Sequence, residues 1–312
     1  PITLAVLFIL FYFQRHGTAL VDRFVGPVML LWFVSLALLG VNAIVAHPGV
    51  LMALNPASAV GFVVDHRLLA LAALGCVALA VAGAEALYAG MGQFGRKPVR
   101  GAWFVVVLPA LVLNYLGQGA LLLGDAAAAR NPFFLLAPGW ALFPLVGLAT
   151  AVAAIVSQTA ISAASSVTRQ AIMLGFVPRM EVQRTADMGQ FYVPVVNWGL
   201  LLVVMLLVLG IRSSDNLAAP YGIVASGQMM ITSLLTAAVV ARGWGWVKAG
   251  VLFGGFLAIE LAFLVANIFN ISQGGWLLLL TAGAIFIAMA TWKQGRLLHS
   301  ARIRSERLEL SM

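Results

Sequence analysis

Charge is scarce in this sequence. Asp, Glu, Lys and Arg together make up 9% of the 312 residues, and 62% are hydrophobic; a soluble domain carries about 25% charge. With a mean hydropathy of +1.03, a water-soluble globule is excluded. Cysteine is nearly absent. Cys76, the one present, lies inside an apolar run, which rules out a disulfide framework and a thiolate metal cluster. The four histidines, His16, His47, His66 and His299, all fall outside the apolar runs. A Walker phosphate loop, an H-E-x-x-H zinc motif, a G-x-G-x-x-G turn after a strand and a nucleophile elbow are all missing. Enzyme chemistry within the membrane is therefore not expected, nor is any cofactor or any resident metal.

What is present is a set of long apolar runs. They fall at approximately 2–13, 24–46, 68–89, 102–124, 139–164, 191–211, 217–241, 249–269 and 276–292. The reading is an all-α polytopic membrane protein with nine transmembrane segments. Residues 1–292 form one membrane domain and residues 293–312 start a cytoplasmic tail. The first run is short for a span and has neither a basic leader nor a cleavage site. It reads as a span clipped at its start, from within a larger protein.

The net charge of +8 could suggest nucleic acid, but the placement of the basic residues argues for topology instead. The odd connections and the tail hold fifteen of the eighteen Lys and Arg, and the even connections only Arg67, Arg130 and Arg212. This positive-inside alternation predicts cytoplasmic odd connections, a cytoplasmic C-terminus and residue 1 on the outer side. The stretch from His47 to His66 is expected to lie at the outer interface rather than to cross, and Phe133 and Phe134 are placed at interface depth.

Of ten acidic residues only Glu85 and Glu260 lie within apolar runs. A carboxylate at bilayer depth is costly and usually faces a cavity, a partner or an ion path. Glu85 follows Gly83, where a loosened helix could turn carbonyls toward an ion. That makes it a candidate cation or proton site; the competing reading is a packing glycine beside a glutamate bonded to another helix. Glu260 is open in the same two ways.

Neutral polar residues gather in two further runs. Asn114 and Gln118 share a helical face at i, i+4. Ser157, Gln158, Ser162 and Ser165 crowd the other, the last three along one stripe. Amide and hydroxyl oxygens suit a weakly hydrated monovalent cation, and interhelical hydrogen bonding explains the same residues equally well. Pro27, Pro109, Pro144, Pro194 and Pro220 each free a backbone carbonyl that needs another partner, and the segment from Asn216 to Met230 is expected to be irregular.

The stretch GAEALYAGMGQFGRKPVRGAWF (residues 83–104) resembles the Kup-type (KUP/HAK/KT) potassium uptake permeases, whose sixth segment reads approximately TGAEALYADMGHFG. The likeness continues through LPALVLNYLGQGALLL, NPFFLLAP, SQTAISAASSVTRQA, GQFYVPVVNW and SSDNLAAPYGI to TWK, essentially the whole chain. It implies proton-coupled potassium symport in the bacterial inner membrane. It also implies the LeuT-type inverted repeat of the amino acid–polyamine–cation (APC) superfamily, this chain supplying roughly helices four to twelve.

On that resemblance Glu85 would couple the proton, with Gly83 and Tyr88 beside the ion path. Ala82 stands for a threonine, Gly90 for an aspartate and Gln93 for a histidine, while Glu260 keeps a carboxylate where many members have aspartate. The expected partners are potassium, protons and the bilayer, with a homodimer allowed and nucleic acid excluded. Lacking the first and third helices, the fragment is expected to be inactive alone. The alternative is a transport-dead regulatory or assembly protein of the same fold, which Ala82, Gly90 and Gln93 favour slightly.

Overall fold

The computed structural model describes residues 2–14, 19–83, 95–184, 191–211, 215–268 and 275–309. These are helical almost throughout. The exceptions include a two-residue antiparallel ladder, β1 (Gln183–Arg184) and β2 (Phe191–Tyr192), pairing Gln183 with Tyr192 and Arg184 with Phe191.

The helices are α1 (Ile2–Phe13), α2 (Ala19–Ala46), α3 (Pro56–Asp65), α4 (Arg67–Val81), α5 (Arg96–Gly124), α6 (Leu142–Met173), α7 (Pro194–Ile211), α8 (Asp215–Trp244), α9 (Trp246–Ile268) and α10 (Gly275–Glu309). Among the described residues six are long and apolar enough to cross a bilayer, within α2, α5, α6, α8, α9 and α10. The protein is a polytopic membrane protein. Side chains such as Leu38, Val105, Val239 and Val247 are exposed along these helices, a surface that suits lipid and not water. Three of the expected runs form shorter apolar helices: α1, α4 and α7.

Local sequence explains where the helices stop. At the end of α6, Gly175 takes φ +75°; its N–H bonds to Ile172 O (3.0 Å) and the Phe176 N–H to Ala171 O (2.9 Å). This paired pattern closes a helix on a left-handed glycine. The end of α8 uses the simpler version, with Gly245 at φ +86° donating to Ala241 O at 3.0 Å. The helix α4 stops earlier than the expected 68–89 run. Its last residue is Val81, Ala82 is extended, and Gly83 has φ +101°, a value no right-handed helix can include.

The prolines divide into two groups. Pro194 opens α7 and Pro144 sits in the first turn of α6, where no N–H is needed, so neither of them frees a carbonyl as expected. Pro27 lies inside α2. Before Pro109 the chain forms a π-helical turn, Trp103–Val107, and the Leu108 N–H reaches back to Trp103 O. Such local adjustments are how a membrane helix re-satisfies groups that proline frees. Residues 215–244, expected to be irregular, form one helix. The bond that Pro220 cannot make would go to the carbonyl of Asn216, in the first turn, so the loss is confined to the helix end. The stretch from His47 to His66 is a 3-10 helix, Pro48–Leu54, and α3, bent 79° from each other. This is the shape of a broken span or a re-entrant segment.

The chain divides into two compact units. The first holds α1, α2, α5, α6 as far as Ser166, the ladder and the start of α7. Its tightest seam joins α2 to α5: a Cβ on Gly117 would lie 2.5 Å from Gly40 Cα, and one on Gly40 would run into the backbone of Leu113. Small residues at such a crossing let two backbones approach. The second unit holds α4, the end of α6, the rest of α7, and α8 to α10. There α8, α9 and α4 pack on one another, and Lys293 of α10 lies 4.0 Å from the Phe176 ring.

Candidate functional site

Glu85 and Tyr88, with Gly90 and Gln93, lie outside the described residues. The described flank of that motif is the end of α4, with Ala82 extended and Gly83 at positive φ.

In the first unit, polar side chains from α6, α7 and the residue that follows α1 converge on the C-terminal end of α1. The last four carbonyls of a helix have no partner within it. Two of those in α1 are bonded by neighbours: Gln158 Nε2 of α6 donates to Leu10 O (3.1 Å) and Asn197 Nδ2 of α7 donates to Phe11 O (3.1 Å). Gln14, just past the helix, donates from Nε2 to Ser162 Oγ at 2.9 Å. Gln158 and Ser162 of the predicted stripe therefore lie on the face of α6 turned to α1, and Ser165 follows one turn on. Gln14, Ser165 and Asn197 are buried. Ser157 is half-buried and takes no part in these bonds.

Asn114 and Gln118 do meet across one turn of α5, Gln118 Nε2 donating to Asn114 Oδ1 at 2.7 Å. Asn114 is buried, and its remaining polar atom, the donor Nδ2, has no partner among the described residues.

In the second unit, Ser233 of α8 donates to Glu260 Oε1 of α9 at 2.6 Å, and Glu260 Oε2 is buried without a partner among the described residues. Two turns on, Asn267 is fully buried. Its Nδ2 donates to Phe263 O (2.9 Å) and to Ser226 Oγ (3.4 Å), and Ser226 donates to Gly222 O (2.7 Å). A Cβ on Gly222 would strike the Asn267 amide, and one on Gly75 of α4 would sit 3.6 Å from Asn267 Oδ1. Three helices close around this one amide.

Sequence reasoning missed Gln14, Asn197, Ser226 and Ser233. Asn197 carried a usable signal, as the one amide in the otherwise apolar helix PVVNWGLLLVVMLLVLGI. Gln14 read as the polar edge of a span.

The family model described as "K+ potassium transporter integral membrane domain" matches residues 1–297. The chain belongs to this family. This K+ transporter family is one of transporters and not enzymes. Among curated relatives in the family, "Probable potassium transport system protein Kup 1" of Dechloromonas aromatica is 63% identical, covering 100% of this chain and 50% of the relative. "Probable potassium transport system protein Kup" of Pseudomonas putida is 52% identical with the same coverages. The protein of that name from Paraburkholderia xenovorans is 49% identical, over 99% of this chain and 50% of its own length. The chain thus spans about half the length of the curated relatives it matches. No solved structure matches.

Proposed function

We propose that this chain is part of the membrane portion of a potassium uptake transporter that works by proton-coupled symport in the bacterial plasma membrane. Carrying the reading is the family match over residues 1–297, joined to helices whose buried polar residues, among the described residues and Glu260 apart, are uncharged. Uncharged oxygens can replace the water of a weakly hydrated cation without holding it too firmly. Inward movement of one positive charge gains ~2.3 kcal/mol per 100 mV of inside-negative potential.

Glu85 is the proton-coupling group on this reading, with Gly83 and Tyr88 beside the path. A carboxyl that alternates between neutral and charged forms alters cation affinity, the differential binding that drives a two-state carrier. The end of α4 at Val81 and the positive φ of Gly83 support it, because transporters of this kind place their ions where a membrane helix is interrupted. The nine apolar helices among the described residues, taken as nine spans of a LeuT-type inverted repeat, would set the odd connections and the C-terminus in the cytoplasm. Glu260 is a second intramembrane acid on this scheme, and the present half of the protein is inactive alone.

The test is growth. At the full length of its relatives, the protein should restore growth of an uptake-deficient bacterium at low potassium, and Glu85→Gln should reduce rubidium uptake by about 100-fold, the scale of a lost acid–base group. Undiminished uptake in Glu85→Gln would remove the glutamate from the mechanism. No uptake by the unaltered protein would leave the regulatory or assembly reading.

A further inference from the structure

We propose that the C-terminal end of α1 is a binding site for a weakly hydrated monovalent cation, its ligands the amide oxygens of Gln14, Gln158 and Asn197 with the hydroxyl of Ser165. The inference rests on the transport reading above and extends it to a second ion position.

A carbonyl can only accept, so the amides bonded to Leu10 O and Phe11 O must present their nitrogens. The oxygen of each amide is thereby fixed on the opposite branch. Leu10 and Phe11 are adjacent, so the two amides they hold are neighbours, and Gln14 follows them by four and three residues, on the same helical face. Gln14 Oε1, Gln158 Oε1 and Asn197 Oδ1 are all buried without a partner among the described residues, and so is Ser165 Oγ, one turn from Ser162.

Buried polar atoms are nearly always paired. Here three unpaired oxygen acceptors belong to amides held at or just past a helix C-terminus, the negative end of its dipole, and the unpaired Ser165 hydroxyl follows Ser162 by one turn of α6. One water brings two hydrogens and cannot serve them all; a cation can. The absence of a carboxylate from this ligand set disfavours a divalent ion, which takes charged oxygens, and favours a large monovalent one. The Asn114–Gln118 pair offers the contrast, since its unpaired buried atom is a donor.

The test is thermal unfolding of the full-length protein in lipid nanodiscs, with potassium chloride exchanged for N-methylglucamine chloride at constant ionic strength. Potassium and rubidium should raise the melting temperature, and magnesium should not. Gln14→Met and Gln158→Met keep the length of the side chain but remove its oxygen. Each should raise the half-saturating potassium concentration by about tenfold. Ser165→Ala removes a ligand that bonds nothing else, so it reports even if the others misfold, and it should weaken the response in the same direction. The Asn267→Leu protein, altered at a filled amide of the second unit, should keep the response. No potassium-dependent shift, or a shift that all three ligand variants retain, overturns the site. A shift lost only in Glu85→Gln places the ion elsewhere and leaves the transport reading standing. A protein that imports no potassium yet loses its shift in the ligand variants keeps the site and loses that function.

Discussion

The end of α1 and the surroundings of Asn267 are built from the same residue types, amides and serines in apolar helices, yet they end in opposite states. Around Asn267 the space is filled: Gly222 and Gly75 bring two backbones onto the amide, and the Ser226 hydroxyl in turn donates to Gly222 O. At the end of α1 each amide spends its nitrogen on a carbonyl or hydroxyl and keeps its oxygen unused. The first arrangement holds helices together. The second holds them together and leaves acceptors over, the combination a permeating cation needs. Residue type alone does not separate glue from site; what remains unbonded after packing does.

The comparison can be broken most severely at Gly222. A side chain there meets the Asn267 amide, so Gly222→Leu should cost about 3 kcal/mol and abolish the monodisperse peak in size-exclusion chromatography; a normal peak would mean the seam is loose. Asn267→Leu should come next, at about 1–2 kcal/mol, since three helices lose one buried amide. Its melting temperature should fall equally with and without potassium, whereas a potassium-dependent loss would make Asn267 part of an ion site. Ser233→Ala should be smallest, about 0.6 kcal/mol by the same measurement. A larger drop would mean that Glu260 depends on the serine more than an interhelical hydrogen bond allows.

Much of this was legible in sequence, for a physical reason. A bilayer forces continuous apolar runs, so the positions of the helices follow from hydropathy, and the i, i+4 spacing of Asn114 with Gln118 and of Gln158 with Ser162 gave their faces. Partners were not legible. Gln14 looked like the end of a span because nothing local shows that α6 lies against it 148 residues later. The early end of α4 was obscured because Ala82 and Gly83 sit inside an unbroken apolar run, and apolarity does not record φ. The expected irregularity from Asn216 to Met230 failed because Pro220 falls close to the helix start, where its missing N–H costs only one bond at the helix end.

The π turn before Pro109 has a consequence for how the family can vary. A π turn carries one more residue than the α turn it replaces. A relative one residue shorter between Trp103 and Val107 could wind an ordinary α turn there. The phase of Asn114 and Gly117 against the neighbouring helix would then be unchanged. Length variation at that spot is absorbed locally, and the glycine seam beyond it stays in register.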